Sequence, residues 1–190
     1  MAATIGQPPW PELVRAAELF EEPGEALDVG AGAGRDTAYL LSRGWRVTAL
    51  DSSPSASEAL RRLAHPNLRI VVTTAQDFVP SDYDLVNAQF SLPFIPQDRF
   101  ASTFARLRDS VRGGGVMAAT FFGKHDEWNV PGSNVNFSTR EDVERMFTGL
   151  ELIELTEVER DGNTADGAPK HWHVFHLTAR RPADGRRTTK

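Results

Sequence analysis

The 190-residue chain contains no cysteine. Disulfides, thiolate metal ligands and cysteine nucleophiles are thereby excluded. No apolar run approaches the roughly 18 residues that read as a membrane-spanning helix. The first residues carry no basic segment followed by an apolar stretch, so no secretory leader is read there. A soluble, cytoplasmic protein with no membrane contact is the expectation. Positive charge is not in excess either: 21 Lys and Arg face 26 Asp and Glu, for a net charge of −5. That balance argues against a general nucleic-acid binder. Internal repeats and domain linkers are absent. One domain, with one core supplied by 40% hydrophobic residues, is the expected organisation.

A further absence is more informative, because it sits inside the strongest motif. Residues 26–34 read ALDVGAGAG, an apolar strand running into Asp28 and then glycines at 30, 32 and 34. A helix-like RDTAYLLSRG follows, and then a second strand-like run, WRVTALD, that ends in Asp51. This is a β-loop-α-β unit with a nucleotide-shaped crevice at its first turn. The alternate glycines Gly30 and Gly32, on either side of Ala31, let the backbone approach a ligand where a Cβ would collide. Asp51, with Ser52 beside it, stands where a ribose offers two hydroxyls. The dinucleotide fingerprint G-x-G-x-x-G needs a third glycine, and here that position is Arg35. Asp28 suits an ammonium better than a pyrophosphate. Ribose plus amine without phosphate describes S-adenosyl-L-methionine, with S-adenosyl-L-homocysteine as product, better than NAD.

These residues resemble the first motif of class I S-adenosylmethionine-dependent methyltransferases. GAGAGRDTAYLLSRGWRVTALDSSPSA is similar to the small bacterial branch that includes tellurite-resistance-type and thiopurine-type enzymes. PKHWHVFHLTARRP (169–182) resembles the closing strand of that branch. The resemblance implies a methyltransferase domain over 25–182, preceded by an N-terminal helical cap (1–24) and followed by a flexible basic tail (183–190). The missing cysteines count against an arsenite methyltransferase, which holds its metalloid with thiolates.

The elements alternate along the chain, with helices over 11–20, 35–43, 51–64, 98–111 and 139–147. Strands are expected at 25–29, 45–50, 68–75, 83–90, 115–122, 151–161 and 171–181. Helix capping is expected at Ser138 or Thr139, and the glycine run 113–115 should end a helix. The fold class is α/β: a single-domain, Rossmann-like, seven-stranded and mostly parallel sheet with helices on both faces. The resemblance adds a reversed last strand. Ligands then bind beyond the carboxyl ends of the strands, near the topological switch point.

The resemblance implies that Gln76, Asp77 and Phe78, after the third strand, read the adenine. A turn cap and a core ring are the bland alternatives for the last two. The segment from Asn87 to Phe94 should form the floor between cofactor and acceptor, with Asn87 against the methionine ammonium. Asn87-Ala88-Gln89-Phe90 lacks the two prolines of the amino-methylating N/D-P-P-Y/F signature. Phe90 and Phe94 wall the transfer site or belong to the core. Arg35 reaches an acidic acceptor, the cofactor carboxylate, or a surface partner. Trp10, between prolines, lies in a lid or merely docks the first helix.

Loop 123–138 is long and polar, which favours an acceptor lid carrying His125 and Trp128. His125 is a candidate general base, although an exposed loop histidine is the simpler reading. His171 and His173 share one face of a strand, but no complementary carboxylate is visible in the sequence, so no metal is expected. The resulting expectation is a monomer or weak homodimer that methylates a small acceptor. A thiol, a tellurium or selenium oxyanion, or a small metabolite all qualify. The alternatives are an inactive adenosyl-cofactor-binding protein and a nicotinamide-dependent reductase.

Overall fold

A computed structural model describes residues 6–183. Four strands are short, largely apolar runs, β1 (Glu25–Val29), β2 (Arg46–Asp51), β3 (Leu68–Val72) and β4 (Tyr83–Ala88), and a fifth, β5 (Val111–Gly123), is longer. β1, β2 and β4 are buried almost throughout, the pattern of strands covered on both faces. The chain continues through a two-residue β6 (Phe137–Ser138) to a long hairpin, β7 (Glu151–Asn163) and β8 (Pro169–Arg180). The sheet order is β3-β2-β1-β4-β5-β8-β7, with β6 attached to β5. β8 runs antiparallel to both β5 and β7, and the other pairings are parallel.

Five helices complete the described residues: α1 (Pro11–Ala17), α2 (Arg35–Ser42), α3 (Pro54–Arg61), α4 (Gln97–Asp109) and α5 (Arg140–Met146). On one face of the sheet, Leu13 of α1 and Leu40 and Leu41 of α2 pack with Trp45, Leu85 and Val116. On the other, Phe104 of α4, Val143 of α5 and Phe147 pack with Phe121 and Phe175. α5 starts at Thr139, whose hydroxyl accepts from the Asp142 amide while Asp142 accepts from the Thr139 amide.

The architecture meets the sequence reading, with three differences. The eighth strand, β6, comes from the expected lid loop. β5 begins at Val111 and runs through the glycines placed at a helix end, helped by a register shift opposite Tyr83 and Leu85. The last two strands are also longer than expected. Arg180 closes β8 within the expected last strand, and the Arg181 guanidinium donates to the Arg108 carbonyl at 2.9 Å. Residues 184–190 of the expected tail and the first five residues of the cap lie outside the described residues.

Candidate active site and cofactor cleft

The site forms where β1 and β4 end side by side and their connections diverge. After β1 the chain turns through Gly30, Gly32 and Gly34, all at positive φ (72°, 55° and 85°). A Cβ at Gly30 would lie 2.5 Å from the Ser91 Cβ, so the close approach itself requires glycine. The loop is pinned by the Gly30 and Ala31 amides, which donate to the Leu50 carbonyl at 2.8 and 3.0 Å. Asp51, at the tip of β2, accepts from the Gly32 amide at 2.9 Å and the Ser53 amide at 2.8 Å. Its carboxylate is held at the mouth of the loop. The residue that caps α3 is Ser53.

Asp51 and Ser52 line a cleft of about 270 Å³ together with Val29, Gly30, Thr73, Gln76 and Ser91. The Ser91 hydroxyl is buried there without a partner. Gln76 lines this cleft, whereas Asp77 and Phe78 do not. The Asp77 carboxylate accepts from the Thr74 hydroxyl at 2.6 Å, and Phe78 is buried in the main core. As they stand Asp77 makes a turn contact and Phe78 is a core ring, and the segment that lines the cleft here is Thr73 to Gln76.

The adjoining larger cavity, of about 600 Å³, is walled by Trp10, Phe90, Phe94, Phe122, Trp128 and Trp172. Phe90 is central: its ring lies 4.5 Å from Trp10 and 5.9 Å from both Trp172 and His176. It takes φ 52°, a left-handed conformation that costs a bulky residue strain and aims its ring inward. The rest of the wall comes from the hairpin, where Val158, Arg160, Trp172, Val174 and His176 alternate onto one face. Of these hairpin residues, sequence reasoning considered only Trp172, as packing near the site or in the core. Alternation alone does not say which face of a doubly covered strand meets a cavity.

Two buried carboxylates, Asp28 and Asp36, line the larger cavity beside the glycine loop. Asp28 accepts from the Thr37 hydroxyl at 2.6 Å and from the Asn87 amide nitrogen at 2.9 Å. The same nitrogen donates to Asp36 at 3.0 Å, and Asp36 also accepts from the Trp10 amide at 3.0 Å. Burial, and then the charge of Asp36, pushes Asp28 up to about 7. Burial raises Asp36 as well. Two buried acids sharing one amide form a cation-seeking pair. Asp36 was the residue missed by sequence reasoning. Arg35 lies over the Trp10 ring at 4.2 Å and 3.7 Å from Asp36, so it lines the cavity rather than the surface.

His125 does not enter the cavity. Its side chain is 69% exposed, pairs with Glu159 at 3.2 Å and stacks on His173 at 4.9 Å. The carboxylates that the sequence did not reveal stand on β7: Glu157 faces His173 at 2.9 Å, and Asp161 faces His171 at 2.7 Å. They correct the reason given against a metal. His125, Glu159 and His173 do cluster, yet His173 Nδ1 accepts from the His125 amide at 3.1 Å. The ring proton then sits on Nε2, toward Glu157. Neither nitrogen of His173 is free to ligate in this arrangement.

The comparisons with known proteins agree with this layout. Residues 26–115 match the methyltransferase domain family. The chain thus resembles a methyltransferase domain over just under half of its length. It is 34% identical over 121 residues to a trans-aconitate 2-methyltransferase of Enterobacter, which covers 59% of the chain and 46% of that protein. A Deinococcus radiodurans trans-aconitate 2-methyltransferase is 32% identical over 104 residues, covering 54% and 39%. The chain thus spans less than half the length of these two curated relatives. Among solved structures, TehB from Haemophilus influenzae superposes with a TM-score of 0.76 at 19% identity, covering 90% of this chain and 61% of that one. A Burkholderia thailandensis 1,6-didemethyltoxoflavin-N1-methyltransferase, solved with S-adenosylhomocysteine, gives 0.68 at 21%, covering 95% and 79%.

S-adenosylmethionine is the cofactor that this resemblance implies, and the residues present suit it. The glycine cradle, the Asp51 carboxylate and the unpaired Ser91 hydroxyl suit an adenosyl group. The Asp28–Asp36 pair suits its cationic methionine end. No helix among the described residues is long and apolar enough to cross a membrane.

Proposed function

We propose that the chain catalyses methyl transfer from S-adenosylmethionine to a small acceptor that carries an anionic group. When bound, the cofactor supplies an electrophilic methyl on a sulfonium. The chain's residues align and hold the acceptor, which accounts for much of the acceleration in an in-line displacement.

The observation that carries this reading is the charge of the acceptor cavity. Arg160 lines it without a hydrogen bond or ion pair among the described residues, and Arg35 lies across the Trp10 face at the other end. A guanidinium over the Trp10 ring and a second on the hairpin wall suit a flat acceptor with a carboxylate or another oxyanion. The trans-aconitate named for two relatives is such a molecule, and a tellurium or selenium oxyanion also fits. The cavity extends past the glycine loop to the aromatic and hairpin wall, which favours an enzyme over an inactive binding protein.

The test is calorimetric titration with S-adenosylmethionine, S-adenosylhomocysteine and NADH, followed by a screen for S-adenosylhomocysteine formation. Trans-aconitate, tellurite and small aromatic carboxylates are the first acceptors to try. Both adenosyl ligands should bind, and Asp51→Ala should lose on the order of tenfold or more, since hydrogen bonds to a charged group are worth roughly 1.5–3 kcal/mol. Arg160→Ala should raise the acceptor KM and leave the cofactor KM unchanged. Binding of NADH alone would return the chain to the reductases.

A further inference from the structure

A single hydrogen-bonded chain links the buried acids to the acceptor cavity, and its direction can be read from its first member. The Asn87 side-chain nitrogen lies between Asp28 and Asp36, at 2.9 and 3.0 Å from a carboxylate oxygen of each. Two carboxylate oxygens around one atom require that atom to be the amide NH2 group, so the Asn87 oxygen must accept. It accepts from the Gln89 amide nitrogen at 3.3 Å, which turns the Gln89 oxygen toward Thr120. The Thr120 hydroxyl donates to that oxygen at 2.5 Å and so spends its only proton. What remains for its contact with His176 Nδ1, at 3.2 Å, is a lone pair.

His176 therefore carries its proton on Nδ1, and Nε2 bears the lone pair. Nε2 makes no hydrogen bond among the described residues, and His176 lines the acceptor cavity beside Phe90. Glu12 of α1 lies 3.9 Å from Nδ1 with one carboxylate oxygen buried and unpartnered, placed to stabilise an imidazolium.

We propose that His176 is the general base of the reaction and that the acceptor's nucleophile is protic: a hydroxyl, thiol or amine on the anionic body. This rests on the methyltransferase reading above and deepens it. In the step, the acceptor heteroatom forms a bond to the methyl carbon. The carbon–sulfur bond breaks with its electron pair returning to sulfur, and the acceptor's proton passes to His176 Nε2. The sulfonium charge becomes the imidazolium charge, so atoms and charge balance. Burial keeps His176 below the ordinary histidine range, hence neutral and able to accept at pH 7. The charged groups facing it are Glu12 and Arg15 from α1 and Glu154 and Arg160 from β7. The glutamates favour the imidazolium and the arginines oppose it.

Two measurements on the full chain test this. Long-range 15N NMR of the histidines reads the tautomer without any acceptor: His176 should be the Nδ1–H form, and Thr120→Val should return it to Nε2–H. Turnover is then measured with 3-mercaptobenzoate and 3-hydroxybenzoate as protic probes and benzoate as the aprotic one. His176→Gln, which keeps a donor toward Thr120, should keep wild-type S-adenosylmethionine binding. Its kcat on the protic probes should fall on the order of 10²- to 10⁴-fold. That loss should shrink as pH rises through the thiol's own ionisation. An Nε2–H tautomer in the wild type overturns the proposal, as does unchanged protic turnover in His176→Gln. Absence of S-adenosylmethionine binding in the wild type fails the underlying methyltransferase reading instead, and the tautomer still decides the role of His176.

Discussion

Asp28 makes the binding of a cation visible as a proton. Its carboxyl is raised from 3.8 to about 7, chiefly by burial and next by Asp36. A folded-state pKa raised in this way favours the protonated form. Its contribution to stability is full below pH 3.8 and is lost as pH rises through about 7. The free protein should therefore lose stability across that window, and Asp28→Asn should flatten the loss in thermal unfolding. A cationic ligand at the pair holds both acids ionised, so binding below about pH 7 should release a proton. Calorimetry at pH 6 in two buffers of different ionisation enthalpy measures that release directly. Equal heats in both buffers would contradict the cation-seeking pair. Asp28 was legible in the sequence because it stands two residues before a glycine loop. Asp36 was not, because only the first turn of α2 and the end of β4 together bring it to Asn87. Asp77 and Phe78 show the converse, since their residue types match a motif while their side chains turn to Thr74 and the core.

At the scale of elements, the hairpin of β7 and β8 matters most, and the sequence revealed it least. Its strands were recognisable, but the cavity face was not, because β8 is covered on both sides. Residues 172, 174 and 176 face the cavity, while His171 and His173 face the carboxylates of β7. The hairpin is fixed to the segment after β5 by a buried ion pair. Lys170 Nζ lies 2.5 and 2.6 Å from the Asp126 oxygens, with the Trp172 ring centre at 3.8 Å and that of Trp128 at 4.4 Å. The two side chains are 1% and 0% exposed, so the pair is desolvated. Breaking it from one side leaves an unpaired buried charge. Asp126→Ala should cost roughly 3–5 kcal/mol, while Asp126→Leu with Lys170→Met should recover most of that. Denaturant melts of the three proteins check this. A double variant as unstable as the single one would show that the pair's geometry, rather than its buried charge, carries the stability. Either change should also loosen the Trp128 and Trp172 wall, raising the acceptor KM.

For the whole molecule, the order β3-β2-β1-β4-β5-β8-β7 places the site at the junction of β1 and β4. Both connections leave that junction in opposite directions, which opens the crevice. The seven longer strands were legible because each is an apolar or alternating run. β6 was not, since two residues, Phe137 and Ser138, are too few to show a period. Trp10 and Glu12 from the N-terminal cap, the glycine loop, β4, β5 and the hairpin all meet around the two cavities, so occupying the cofactor cleft should stabilise the domain as one unit. A ligand that binds only the folded state at 100 times its Kd adds about 2.7 kcal/mol. For a domain of 150–250 residues, each kcal/mol moves Tm by roughly 2–4 °C. Saturating S-adenosylmethionine or S-adenosylhomocysteine should therefore raise Tm by about 5–11 °C, growing with the logarithm of concentration. Asp51→Ala should need at least tenfold more ligand for the same shift, and NADH at equal concentration should give none. A shift with NADH as large as that with the adenosyl ligands would contradict the cleft assignment. A shift confined to S-adenosylmethionine and absent with S-adenosylhomocysteine would instead assign most of the binding to the sulfonium beside Asp28 and Asp36.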